Sequence, residues 1–219
     1  METTPYILKE HKPFTPNSKV SDLKLFFNET TFSHFPVVKD GQLLGMVSEY
    51  DIEGIDDLSA KLGSYQYFFN HFFVKESNNS LEILEAFANS QSNLIAVLNG
   101  KNEYVGYYDL IDVLNSFHDT PFFKHEGEIL QIEKDINSYS FSEISQIIES
   151  NNGRLLGAFV AYKNEAIIRV TVKFSAADVN EIIQSFRRYD YHILTNHEED
   201  ILLEDLKNRS DYLQKYLNI

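Results

Sequence analysis

One pattern written twice constrains this chain more than any single residue does. Val20, Leu23, Phe26 and Phe27 stand at helical spacing, and Leu81, Leu84, Phe87 and Ala88 repeat that apolar stripe at an offset of sixty-one. After the first stripe, Phe35 to Val38 is a short apolar run, Lys39-Asp40-Gly41-Gln42 has the Asp-Gly chemistry of a hairpin turn, and Leu43 to Val47 is a second run. After the second stripe, Leu94 to Leu98, Asn99-Gly100-Lys101-Asn102 and Tyr104 to Tyr108 give the same run, turn and run. Gly45 and Gly106 fall at matching places inside the second runs, where a missing side chain marks the close approach of another backbone or a ligand. Two copies of a β-α-β-β-α unit are expected, the first led by the short edge segment Tyr6-Ile7-Leu8. The first helix has Asn17 and Ser18 as cap candidates, and the helix from Asp51 is expected to run through Ile55 and Leu58 to Leu62 and stop near Gly63.

The chemistry of the first copy gathers in Ser33 to Ile52, where Ser48 and Asp51 stand three apart at a helix start. Free backbone N–H groups and the positive end of the helix dipole favour an anion there, Ser48 can cap or donate, and an acid one turn on suits a sugar diol. A helix cap and a first-turn acid are the plainer roles for the same two residues. The order of an apolar run ending in Pro-Val-Val, a turn, and Gly-x-x-Ser-x-x-Asp resembles the cystathionine-β-synthase (CBS) domain over about forty residues, Phe14 to Gly54. Members of that family pair their copies about a pseudo-twofold axis and bind adenine nucleotides. The resemblance implies that Asp51 holds the ribose hydroxyls, Ser48 faces the phosphates, the backbone of His34, Phe35 and Pro36 meets the adenine edge, and Thr15 touches the ligand. A second, weaker site is implied around Ala96, Asp109 and Asp112. There Ala96 stands in place of the proline and Asp109 in place of the serine, and a carboxylate beside a phosphate is repulsive.

Composition narrows the partners. Nineteen basic against thirty-three acidic residues give a net charge of -14, which repels phosphate backbones, so nucleic acid is not an expected partner. With no cysteine there is no thiolate or disulfide chemistry, and no apolar run is long enough for a membrane span. No N-terminal run joins a basic region to an apolar core, so a cytoplasmic protein is expected. The aromatic stretch Tyr65 to Phe73 lies between the copies and is expected to pack them together rather than to stack bases.

Residues 118 to 127 read as a linker punctuated by Pro121 and Gly127. His118, His125 and Glu126 match no metal-ligand spacing, and His192 and His197 lie beside Glu198, Glu199 and Asp200 as a charged helix start would. Beyond the linker the pattern changes. Ile129 to Ile132 is a strand, Ser140-Phe141-Ser142-Glu143 is a capping box for a helix striped by Ile144, Ile147 and Ile148, and Asn152-Gly153 ends it. Leu155 to Tyr162 and Ala166 to Val172 form a hairpin, Ser175 to Asp178 caps a helix with Val179, Ile182, Ile183 and Phe186, and Tyr191 to Leu194 closes the set. That βαββαβ order is the ferredoxin-like split unit. After a CBS pair it resembles an ACT domain, as in bacterial CBS and ACT fusions of the acetoin-utilisation type. The family's amino-acid loop carries a glycine, whereas Lys134 to Tyr139 has none, which argues for dimerisation without amino-acid binding. Ile201, Leu202, Leu206, Leu213, Tyr216 and Leu217 place a docking or oligomer helix at 197–219.

The expectation is an α+β chain with a CBS pair over 1–118 (repeats about 8–62 and 66–118) and an ACT-like domain with its helix over 127–219. No phosphate-binding glycine loop, nucleophile elbow or metal motif supports catalysis. The leading function is a non-catalytic regulator that senses AMP, ADP or ATP, with or without Mg2+, needs no obligatory cofactor, and signals through a homodimer or an unknown protein partner. A structural adaptor with an empty pair is the alternative. An enzyme using Asp51, Asp109 and Asp112 as acid, base or Mg2+ ligands ranks last.

Overall fold

The protein was analysed as a computed structural model, which describes residues 6–194. The chain divides between Thr120 and Pro121 into two compact units. In the first unit, α1 (Val20–Glu29), β1 (His34–Lys39), β2 (Gln42–Ser48) and α2 (Glu49–Glu53) form one copy. A 3-10 stretch (Leu62–Phe68) leads to the second copy, with β3 (Val74–Lys75), α3 (Ser80–Ser90), β4 (Leu94–Leu98), β5 (Tyr104–Asp109) and α4 (Leu110–His118).

The first hairpin turns on Asp40 (φ 50°) and Gly41 (φ 80°), the two positive angles of a tight two-residue turn. Both hairpins carry a bulge at the same place, Val37/Val38 and Val97/Leu98. The copies exchange edges. Leu8 pairs antiparallel with Tyr107 on β5 through N–H···O bonds of 2.8 and 3.1 Å, and Asn70 pairs antiparallel with Met46 on β2 through bonds of 2.8 and 2.7 Å. The two sharply bent glycines lie at these crossings, each at φ 152°. A Cβ on Gly45 would stand 2.8 Å from Phe69 Cβ, and one on Gly106 would stand 2.5 Å from the Leu8 carbonyl oxygen. The close approach inferred from sequence is therefore that of a crossing chain segment, through its backbone oxygens and the adjoining side chains together. Leu23, Phe27, Phe35 and Met46 of the first copy share one core with Leu94, Ala96 and Tyr107 of the second. A separate cluster gathers Val74, Ile83, Phe87, Val97, Tyr108 and Val113.

Three expectations need correction. α2 ends at Glu53, not near Leu62, because Gly54 follows as cap and Asp57 turns the chain by accepting the N–H and hydroxyl of Ser59. Lys24 Nζ closes that end by donating to the Glu53 and Ile55 carbonyls at 3.0 and 2.8 Å. In α3 the buried face is Ile83 and Phe87, while Leu81 is 68% exposed. The helices and first strands therefore repeat at sixty (Leu23 to Ile83, Val37 to Val97), and the offset becomes sixty-one (Gly45 to Gly106) only after the longer second turn. Lys19, not Asn17 or Ser18, is the N-cap of α1.

In the second unit, α5 (Pro121–Lys124), β6 (Glu128–Asp135), α6 (Phe141–Ser150), β7 (Arg154–Lys163), β8 (Ile167–Ser175), α7 (Val179–Arg188) and β9 (His192–Ile193) build a four-stranded antiparallel sheet in the order β7-β8-β6-β9. Ser140 accepts the Glu143 N–H and Asp178 those of Asn180 and Glu181, so both helices start where capping residues stand. Leu130, Ile132, Val170, Val172 and Phe174 from the sheet pack with Ile144, Ile147, Ile148, Ile182, Ile183 and Phe186 from the helices. Residues 118–127 are not one loop, since α4 reaches His118 and Pro121 opens α5, as its fixed φ suits a first helical position. The predicted helix at 197–219, with His197, lies outside the described residues.

Candidate functional site

The first copy builds its site at the end of the hairpin where His34 faces Ser48 across the ladder. Ser48 Oγ accepts the Asp51 N–H at 3.0 Å and donates to Asp51 Oδ2 at 2.6 Å. Ser48 is thus the cap of α2, the plainer of its two sequence roles, and its hydroxyl holds the carboxylate in a fixed orientation. Asp51 Oδ1 has no hydrogen-bond partner among the described residues and remains open to a donor pair such as vicinal hydroxyls. At five residues α2 is too short to supply the dipole that the sequence suggested for a phosphate.

Ladder geometry decides what the backbone of His34 to Pro36 can offer. The Glu49 N–H donates to the Ser33 carbonyl at 2.9 Å, so the next residue, His34, turns its own N–H and C=O to the opposite edge. Pro36 has no N–H, and its carbonyl accepts from Phe14 at 3.0 Å. Phe35 is buried in the core. Of the three, His34 alone presents backbone groups for reading a ring edge. Thr15 is not gathered here: Phe14 pairs with Val37, three residues along β1 from His34, and the Thr15 N–H donates to Ser18 Oγ at 3.0 Å. That register spans roughly 10 Å at about 3.3 Å per residue.

Beside His34 opens a cleft of about 570 Å3, lined among others by Asn70, His71, Phe72, Asn89 and Ser90. The imidazole Nδ1 lies 3.0 Å from Ser33 Oγ, and its ring meets Phe72 edge-on at 5.3 Å. Burial lowers the pKa of His34 below its ordinary 6.5, while the Asp51 carboxylate acts in the opposite sense. The sign follows directly. The unfolded chain binds the proton more readily, so stability carried by the neutral ring is present above pH 6.5 and is lost as pH falls through 6.5 toward the lowered value. His34→Gln is expected to flatten that acid limb in urea unfolding followed against pH, and an unchanged limb would contradict it.

His71 and Phe72 escaped sequence reasoning, which treated Tyr65 to Phe73 only as packing. Asn93 was missed as well: its Oδ1 accepts the Ser33 N–H and hydroxyl at 2.8 and 3.1 Å, and its Nδ2 donates to the Thr31 carbonyl at 2.7 Å. It ties the second copy to the strand that carries His34. The signal was present, since Asn93 stands sixty residues after Ser33, each directly before the first strand of its copy's hairpin.

The matching place in the second copy is arranged differently. Ala96 is buried in β4, and Asp109 caps α4 by accepting the Ile111 and Asp112 N–H groups at 2.7 and 3.4 Å. Serine and aspartate cap about equally well, so the exchange keeps the helix start while adding charge. Asp112 is exposed. The Tyr107 hydroxyl is buried with no partner in full hydrogen-bond geometry among the described residues, the His11 backbone lying beside it. Burial raises its pKa, the His11 backbone acts in the opposite sense, and Glu10, Asp109 and Asp112 add to the rise. Among the described residues no group of three His, Asp or Glu side chains is placed to hold a metal ion, and no helix is long and apolar enough to cross a membrane.

The helix–strand–hairpin–Ser-x-x-Asp arrangement of the first copy carries a family match. Residues 7–54 match the CBS domain. Among solved structures, the CBS domain pair/ACT domain protein of Thermotoga maritima shares 18% identity, with 53% of this chain and 96% of that one covered at a TM-score of 0.47. CBS domains of a transcriptional regulator from Streptococcus pneumoniae share 17%, covering 52% and 95% at 0.45. The cytosolic domain of the Mg2+ channel MgtE in complex with ATP shares 19%, covering 50% and 46% at 0.42. No curated protein matches the chain.

Proposed function

We propose that this chain is a regulatory protein without its own catalysis, whose first CBS copy binds an adenine nucleotide beside His34, Ser48 and Asp51. The observation that carries the reading is the Ser48–Asp51 pair, which fixes one carboxylate oxygen and leaves the other open, at the end of the hairpin where the free backbone edge of His34 lies. Asp51 takes the ribose diol and His34 the adenine edge. The cleft at His71 and Phe72 receives the rest of the ligand. AMP, ADP or ATP fits this scheme, with Mg2+ only as a companion of the phosphates. Ser48, bound to capping and to Asp51, has no further proton for a phosphate. Thr15 contributes only through Phe14 and the strand it anchors. In this reading the second copy stays empty, because Asp109 stands where the first copy has Ser48 and sets a carboxylate where a phosphate would lie.

The second unit serves assembly. Its βαββαβ order is ferredoxin-like and we read it as an ACT-like module that joins two chains into a homodimer. Amino-acid binding is left out, because Lys134 Nζ is committed to Glu143 at 2.7 Å and Asp135 Oδ1 to the Asn137 N–H at 2.9 Å where that loop begins. The nucleotide state passes to a protein partner through this assembly.

A thermal-shift panel of AMP, ADP, ATP, NAD, S-adenosylmethionine and amino acids tests the reading, since a ligand of the native state raises the midpoint. Adenine nucleotides are expected to raise it. A panel in which none does removes the sensor and leaves the adaptor. Tyr107→Phe should be neutral or stabilising by about 1 kcal/mol in urea unfolding, because the buried hydroxyl it deletes is in full hydrogen-bond geometry with nothing, the His11 backbone only lying beside it. A loss of more than about 1 kcal/mol would mean that the hydroxyl is bonded.

A further inference from the structure

In the second unit the helices cover one face of the sheet, and the pairing register shows what the other face holds. Leu130, Ile132, Val170 and Val172 turn toward the helices, so their neighbours Ile129, Gln131, Glu133, Arg169, Thr171 and Lys173 turn away. On β7, Phe159 and Tyr162 pair with Thr171 and Arg169 and share that outer face. Ile129, Phe159 and Tyr162 are 53, 51 and 46% exposed, more apolar surface than a solvated face needs.

The charges at the middle of this face have partners, while Asp135 and His192 stand at its β6–β9 end. Arg169 Nε donates to Glu133 Oε2 at 2.7 Å and its guanidinium lies 5.1 Å from the Tyr162 ring centre. Lys173 is 8% exposed, with Nζ donating to the Phe123 carbonyl at 3.3 Å and standing over the Phe122 ring at 5.6 Å. Phe122 of α5 closes one end of the face by lying against Gly157, where a Cβ would overlap its ring. What remains open is an uncharged strip in which Ile129, Phe159 and Tyr162 flank Thr171 and Gln131, the Lys173 charge being buried beneath α5.

We infer that a second copy of this chain docks on this strip, sheet face to sheet face about a twofold axis near Thr171. A chain of net charge -14 repels its copy over most of its surface, and this neutral strip is where that repulsion is weakest. A basic partner would want acidic surplus here and an acidic partner basic surplus; the strip has neither. A four-stranded face is about 19 Å by 26 Å, so two stacked copies bury on the order of 1,000 Å2 in total, the lower end of specific interfaces. The dimer is therefore concentration-dependent. The inference rests on the homodimer named above and not on nucleotide binding.

Light scattering on the full chain should give a mass near twice 25.4 kDa at high concentration, falling on dilution. Phe159→Glu, which sets a carboxylate against its twofold mate, should give the single-chain mass with an unchanged circular dichroism spectrum. Leu114→Glu, an exposed site on α4, should remain dimeric. Because the chain has no cysteine, Thr171→Cys offers one thiol, and a short bis-maleimide should convert the protein to a covalent dimer even where Phe159→Glu fails to fold. A wild type that is monomeric at every concentration overturns both the homodimer and this surface. A dimer that survives Phe159→Glu, or a Thr171→Cys protein that stays uncrosslinked, overturns the surface and leaves the homodimer standing.

Discussion

Gly106→Ala is expected to destabilise the first unit by about 3 kcal/mol or more, a larger loss than any surface substitution in this chain. Two separate costs add. At φ 152° the backbone lies where residues with a side chain are strained by about 1–3 kcal/mol, and the new methyl must push into the Ile7 side chain and to 2.5 Å from the Leu8 carbonyl oxygen. Overpacking of that kind costs about 1–3 kcal/mol, and here the obstacle is partly backbone, which yields less than a side chain. The Leu8–Tyr107 bonds that carry the first copy's leading segment across the second copy's sheet would be displaced with it. Gly41→Ala is the matched control: φ is 80°, nothing lies within 4 Å of its Cβ, and only the left-handed penalty of about 1–2 kcal/mol applies. Urea unfolding of the two variants separates the accounts. Equal losses would show that the crossing is not tightly packed.

Much of this architecture is legible without coordinates because its devices are local. Asp40-Gly41 dictates a tight turn, Ser140 and Asp178 announce helix starts, and alternation in Ile168, Val170 and Val172 fixes which face of β8 is inward. The paired glycines announced a close approach, but not that the approaching strand comes from the other copy, since nothing in Leu8 or Asn70 marks a partner almost a hundred or about twenty-five residues away. The helix after Asp51 was read too long for a related reason. Ile55, Leu58 and Leu62 stand near helical spacing, yet Ile55 and Leu62 are buried through a turn in which Asp57 and Lys24 satisfy the backbone instead. The pairing of Ser48 with Asp51 was legible from their spacing at a helix start, their nucleotide roles resting on the resemblance, whereas Thr15 was placed by resemblance only and the register holds it away from His34. His71, Phe72 and Asn93 reach the site only through the pairing of the two copies, which a periodicity along one chain segment does not express.

Asp51→Ala is expected to weaken adenine-nucleotide binding by roughly 1.5–3 kcal/mol, about ten- to a hundredfold, through loss of charge-assisted bonds to the ribose. The same change frees Ser48 Oγ from its 2.6 Å bond while leaving that oxygen able to accept the N–H of residue 51, so the cap of α2 survives and the fold should lose little. Asp112→Ala should leave affinity unchanged or slightly improved, because the proposed site lies in the first copy and the exposed Asp112 carboxylate only adds negative charge. A nucleotide lacking one ribose hydroxyl should reproduce part of the Asp51→Ala loss on the wild type and cause no further loss on the variant, the pattern expected of two groups that act on each other.

The measurement that bears most directly on the nucleotide site is isothermal titration of AMP, ADP and ATP into the full wild-type chain, Asp51→Ala and Asp112→Ala. The site described here predicts one nucleotide per chain, lost or strongly weakened in Asp51→Ala and retained in Asp112→Ala. No heat with any adenine nucleotide at millimolar concentration, or binding that Asp51→Ala leaves intact, would contradict it.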